Sequence, residues 1–177
     1  TLRYGTCSRL LEYSDRSGRK IRYFWGTEPN RLEKIQNQKG EEYRFHYDGV
    51  GRVVLEIAFD GKEFRYEYDA AGKASAFVNA AGERTEFRRD AAGRMIETRD
   101  AMGHSRYSEY DSVGNVISRR DALGRTTRFN YDDSGNQIAV LYADGSRELK
   151  EYDANSQVIA SIDALGRTTR YSYDALG

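Results

Sequence analysis

The sequence predicts an all-β protein, an antiparallel meander of 21-residue hairpins. Three observations predict it: two glycine columns with a common period, a Tyr-Asp pair in the same phase, and aromatic residues alternating with polar ones between them. Gly40, Gly61, Gly82, Gly103, Gly124, Gly145 and Gly166 stand 21 residues apart. A second column, Gly51, Gly72, Gly93, Gly114, Gly135 and Gly177, keeps this period, with Ser156 as its one departure. The third is Tyr47-Asp48, Tyr68-Asp69, Tyr110-Asp111, Tyr131-Asp132, Tyr152-Asp153 and Tyr173-Asp174, interrupted at Arg89-Asp90. Self-similarity at a fixed period marks a repeat array, in which each unit covers its apolar surface against its neighbours.

Residues 1–39 carry degenerate repeats. Arg31-Leu32 falls in phase with Arg52-Val53, but Gly26-Thr27 stands where the Tyr-Asp pair is expected and Asn30 where the glycine is. Gly18 lies 22 residues before Gly40, so one residue has been gained or lost. Residues 40–177 are regular repeats, expected to be a piece of a longer array. The first strand of each alternates: Tyr43, Phe45 and Tyr47 point one way, Glu42, Arg44 and His46 the other. Phe64, Tyr66 and Tyr68 repeat this against Glu63, Arg65 and Glu67, and period-two alternation means a half-buried strand. Thr127, Phe129 and Tyr131 keep the pattern, whereas Glu148 and Lys150 weaken it and Tyr107 is out of phase. A second strand follows the second glycine, as in residues 53–57 and 137–141.

Two hairpin-sized connections join these strands, of the form Asp-Ala-Ala-Gly and Asp-Ala-Leu-Gly. With only one proline in the chain, turns fall to Gly, Asn and Asp. An aspartate bonds the backbone two residues on, and glycine takes the positive φ that closes a short loop. Valine at Gly124 is therefore expected to cost roughly 1 kcal/mol or more. Short loops at both ends require antiparallel neighbours, since a parallel crossover needs a dozen or more residues. The periods give about fourteen strands, and twisted sheets beyond about ten curl, split or flatten. With no helical segment to cover its aromatic face, the strip is expected to wind into a shell or pack against its own continuation.

Composition narrows the function. Lys plus Arg equals Asp plus Glu at 28 each, which removes the main attraction to nucleic acid and to anionic membranes. No run of 18 apolar residues predicts membrane insertion, and no basic-then-apolar leader stands at the N-terminus. Cys7 is alone, which excludes an internal disulfide framework and a cysteine-based metal site. The carboxylates of Asp48, Asp69, Asp111 and their equivalents recur in every period, whereas a catalytic pair is singular, so they read as turn formers. His46 and His104 fall at non-equivalent places, and each Asp-x-x-Gly loop has too few carboxylates for calcium. No phosphate-binding loop or activated nucleophile is recognisable, so no enzyme activity, cofactor or metal is expected. Exposed, coplanar rings at Tyr47, Tyr68, Tyr110, Tyr131 and Tyr152 would favour a carbohydrate-binding repeat; filled rings would favour a sheet face. Unpaired strand edges would favour self-association in an adhesive, wall-associated repeat.

Tyr-Asp followed by Gly-Arg or Gly-Asn, then Asp-Ala-x-Gly before the next aromatic strand, resembles the YD repeats of bacterial Rhs proteins. DALGRTTRYSYDALG at residues 163–177 shows the resemblance most plainly, and related repeats occur in insecticidal toxin-complex subunits and animal teneurins. The resemblance is strong over residues 40–177 and weak over residues 1–39. It implies a hollow β-sheet shell that encloses a C-terminal toxin domain in a secreted or cell-surface bacterial competition protein, often exported by type VI secretion. The proline-containing DPxGL-type segment that ends such shells is absent, so the resemblance implies neither a self-cleavage residue nor a toxin in this chain.

Overall fold

The computed structural model describes residues 1–28 and 31–174; Asn30 and Gly177 lie outside the described residues. Two compact units divide the chain, Thr1–Glu86 and Phe87–Gly177. The first holds β1 (Leu2–Tyr4), β2 (Leu10–Ser14), β3 (Lys20–Trp25), β4 (Leu32–Asn37), β5 (Glu42–Tyr47), β6 (Val53–Ile57), β7 (Glu63–Tyr68), β8 (Ala74–Val78) and the start of β9 (Arg84–Arg89). The second holds β10 (Met95–Arg99), β11 (Ser105–Tyr110), β12 (Val116–Arg120), β13 (Thr126–Tyr131), β14 (Gln137–Leu141), β15 (Arg147–Tyr152), β16 (Val158–Ile162) and β17 (Thr168–Arg170). Within each unit every strand pairs antiparallel with the next, the meander that the loop lengths require. Among the described residues no regular helix interrupts the strands; the tight turn Thr6–Ser8 is left-handed at Cys7 and Ser8, with φ +58° and +55°.

Alternation decides which side chains are covered. In β5 and β7 the rings of Tyr43, Phe45, Tyr47, Phe64, Tyr66 and Tyr68 are half-buried, while Arg44, His46, Arg65 and Glu67 are exposed. The rings pack on one another: Tyr43 lies 5.0 Å from Phe45 along β5 and 5.6 Å from Phe59 in the turn after β6, and across strands Phe77 lies 5.3 Å from Tyr66 and 6.2 Å from Phe64. Tyr107 opposes Glu97 and Arg120 on the other face, where the Arg120 guanidinium covers its ring at 4.3 Å.

The turns of the two glycine columns are three-residue hairpin loops, each closed by a left-handed residue. Asp48 N–H donates to the Arg52 carbonyl at 2.9 Å and Gly51 N–H to the Asp48 carbonyl at 3.1 Å, with Gly51 at φ +89°. The same pair of bonds recurs at both glycine columns. Nothing lies within 4 Å of a Cβ added at Gly124 or Gly135, so the positive φ alone selects glycine there.

A one-residue register shift marks the Tyr end of the hairpins. Phe45 opposes Glu56 and His46 opposes Leu55, but Tyr47 opposes Val53, which leaves Val54 as a bulge. The shift recurs before Tyr68, Tyr110, Tyr131 and Tyr152, and upstream before Trp25.

Burial is shallow. The buried hydrophobic residues among those described are Ala76, Ala139, Val140 and Ala160, and no larger side chain is buried. Ala76 is fully covered because Arg84 of β9 reaches the Glu67 carboxylate of β7, with Nη2 to Oε2 at 2.9 Å, across the β8 strand between them. Each unit is thus a sheet with half-covered faces rather than a layer packed over a core.

Candidate functional site: the joint between repeats

The residues that recur most faithfully converge where one repeat meets the next. The turn aspartate organises the loop first: Asp48 Oδ1 accepts the Val50 and Arg52 N–H groups at 3.0 and 2.9 Å. Its Oδ2 then takes Arg52 Nε at 2.7 Å. The Arg52 N–H, followed by its guanidinium, holds the Asp48 carboxyl below the usual carboxylate range against the opposing effect of desolvation. Fixed this way, the Arg52 guanidinium lies 4.5 Å above the ring of Tyr68 in the following repeat. Tyr68 Oη donates to the Val53 carbonyl at 2.6 Å, beside the bulge.

The phenol strut repeats with a constant separation of 15 residues. Tyr47 reaches Leu32, Tyr110 reaches Met95, Tyr131 reaches Val116, Tyr152 reaches Gln137 and Tyr173 reaches Val158, at 2.8 to 3.0 Å. At Asp90 the whole clamp is present: Arg94 Nε bonds Asp90 at 2.8 Å, covers Tyr110 at 4.9 Å and donates through Nη1 to the Asp111 carbonyl at 2.8 Å. Asp111 and Asp132 instead take the side-chain amides of Asn115 and Asn136, at 2.9 and 3.0 Å. Asp69 and Asp153 accept the backbone N–H of Lys73 and Gln157, at 2.9 and 3.0 Å.

The structure therefore places the Tyr, Asp and Gly columns of residues 40–174 together at one end of each hairpin, with the other glycine column at the opposite end. The upstream register needs a correction. Trp25, not Gly26-Thr27, occupies the tyrosine position: its Nε1 donates to the Leu10 carbonyl at 2.8 Å, again 15 residues back, under the Arg9 guanidinium at 5.9 Å. The extra residue is taken up in the following turn, where Gly26 N–H donates to the Arg31 carbonyl, one residue further than Asp48 reaches to Arg52. Trp25 and the Arg9, Arg31, Arg52, Arg94 column are what sequence reasoning missed. The available signal was an aromatic residue shortly before three of these arginines: Tyr4 before Arg9, Trp25 before Arg31 and Tyr47 before Arg52.

The rings of Tyr47, Tyr68, Tyr110, Tyr131 and Tyr152 are half-buried with tethered hydroxyls, the arrangement of sheet-filling side chains rather than of free stacking platforms. Burial, reinforced by the Glu56 carboxylate that accepts its hydrogen bond, pushes the Tyr43 phenol up to about 12. Among the described residues no three His, Cys, Asp or Glu side chains gather as a metal site, and no helix is long and apolar enough to cross a membrane.

Solved structures share this fold. The crystal structure of TcdB2-TccC3-TEV matches with a TM-score of 0.56 and 15% identity over 91% of this chain and 13% of that one. The Photorhabdus luminescens Tc holotoxin pore, with a mutated TccC3, matches with a TM-score of 0.58 and 16% identity over 92% of this chain and 12% of that one. TcdB2-TccC3 without its hypervariable C-terminal region gives 0.54 and 13% over 92% and 11%. The chain thus spans about an eighth of the length of these chains. No curated protein matches the sequence. The RHS Repeat family matches residues 68–105, 110–147 and 152–177, more than half of the chain and the stretch that holds the later joints; the chain belongs to that family.

Proposed function

We propose that this chain is a wall segment of a β-sheet shell that encloses a C-terminal toxin domain in an exported bacterial competition protein. The observation that carries the reading is the joint itself, renewed in almost every period while, among the described residues, neither unit buries a side chain larger than valine. A sheet stabilised from repeat to repeat, with half-covered faces, suits a structure extended by adding repeats. It does not suit an enzyme, whose site needs a deep, singular pocket. Family membership, the Tc holotoxin fold and the small share of those longer chains that this one spans all support a wall element.

In this reading the toxin domain of the same polypeptide is the partner, and the repeats act by enclosure. Paired backbones and struts exclude proteases, no residue here joins the toxin's chemistry, and type VI secretion is the export route that the repeat type favours. Limited proteolysis of the full-length protein tests it. The C-terminal segment should resist cleavage while the repeats are folded and become sensitive once they are denatured. Equal digestion in both states would overturn enclosure and leave an adhesive or carbohydrate-binding surface repeat.

A further inference from the structure

The joints are not equal along the chain, and their inequality follows one residue column. Arg9, Arg31, Arg52 and Arg94 each set a guanidinium over the aromatic ring of the next repeat, at 5.9, 5.9, 4.5 and 4.9 Å. Asn115, Asn136 and Gln157 hold the same place in the later repeats. Asn115 and Asn136 still satisfy the turn aspartate, but an amide is too short to reach the ring and carries no charge. Tyr131, Tyr152 and Tyr173 are then tied by the phenol bond to a carbonyl. We propose that the joints at Asn115, Asn136 and Gln157 form a seam at which the array opens first, while the arginine-clamped joints hold. The inference stands on the joint geometry and does not require the wall reading.

The physical reason is the number of contacts that must break together. At Asp90, opening separates a cation–π contact, a guanidinium–carbonyl bond and a phenol–carbonyl bond, while the Arg94–Asp90 ion pair stays inside its own turn. At Asp132 it separates the phenol–carbonyl bond between repeats, since the Asn136 amide bond stays inside its own turn. Local opening is drawn from the places with fewest such contacts. If the wall reading holds as well, this seam is where the sheet yields when an enclosed segment leaves.

Hydrogen exchange followed by mass spectrometry on the whole chain tests the seam. Amides of β12 to β16 should exchange faster than those of β4 to β7. Asn115→Arg and Asn136→Arg restore a side chain for which Asp111, Asp132, Tyr131 and Tyr152 are already in place. Together they should slow exchange in β12 to β15 by about three- to tenfold and leave β4 to β7 unchanged. Arg94→Asn should speed exchange around β10 and β11 by a similar factor. Slow, uniform exchange throughout the unsubstituted chain overturns the proposal. So does a fast C-terminal half that the two arginines fail to slow, because fraying from the chain end then explains it.

Discussion

The two ends of the hairpins carry the same motif, Asp-x-x-Gly-Arg, and use it differently. At the tyrosine end, Arg52 and Arg94 pair with their turn aspartates while lying on a ring, and their side chains are 34% and 32% exposed. At the opposite end, Arg125 and Arg167 make ion pairs of the same geometry with Asp121 and Asp163, yet are 67% and 75% exposed. The loop chemistry is identical, since Asp121 Oδ1 accepts Leu123 and Arg125 N–H groups at 2.9 and 3.0 Å just as Asp48 does its own. What differs is the next repeat, which brings a tyrosine under one arginine and leaves the other in solvent. A motif that specifies a turn thus becomes a joint only where a second repeat supplies a ring.

The largest effect should come from removing the ring. Tyr110→Ala loses a half-buried aromatic side chain, the Met95 bond and the platform for Arg94, and should cost about 2 to 4 kcal/mol in urea denaturation. Tyr110→Phe keeps the ring and should cost about 1 kcal/mol. Leu123→Ala, at a loop tip 78% exposed on the opposite end, should stay within about 0.5 kcal/mol. A loss at Leu123 as large as that at Tyr110 would erase the distinction between the two ends.

The arginines sharpen the comparison further. Arg52→Asn, which copies the residue found at Asn115 and Asn136, removes the ion pair and the cover over Tyr68 while still offering the aspartate a donor. It should cost about 1 kcal/mol, through lost cation–π contact and stem packing more than through lost charge. The matching Arg125→Asn should be close to neutral, because exposed ion pairs contribute about 0 to 1 kcal/mol. Equal costs for the pair, measured by the same denaturation midpoints, would show that the ring contact adds nothing.

Most of the fold was legible in the sequence because its determinants are local. Gly61 and Gly72 announce their turns by residue type, and the alternation from Glu63 to Tyr68 announces a strand and its covered face. The joint was legible only in part. Tyr68 and Asp48 stood out as columns, but the contact runs from Asp48 through Arg52 to Tyr68 in the next repeat, and that path depends on the bulge at Val54. A bulge leaves no mark in a run such as Val53-Val54-Leu55, where any residue could be the extra one. Trp25 was hidden for a related reason. Register counted back from the glycines slips by one in the lengthened turn after Gly26, and only the Leu10 bond shows which aromatic residue fills the place.

The smallest expected effect has the opposite sign and probes the turn without the ring. Ser156 is the non-glycine member of the second column, yet it adopts φ +61° and donates its N–H to the Asp153 carbonyl at 3.1 Å, as the glycines do. The turn therefore imposes the left-handed conformation, and serine bears the Cβ strain that glycine avoids. Ser156→Gly should raise stability by about 0.5 kcal/mol, the relief of strain being partly offset by the greater freedom of glycine in the unfolded chain. Gly135→Ser, at the equivalent place one repeat earlier with open space around its Cβ, should lower stability by a similar amount. Thermal melts of the two variants and of the combined exchange decide it. If Ser156→Gly destabilises, the serine hydroxyl is making a contact that outweighs the strain, and this turn is held by its side chain rather than by its backbone conformation.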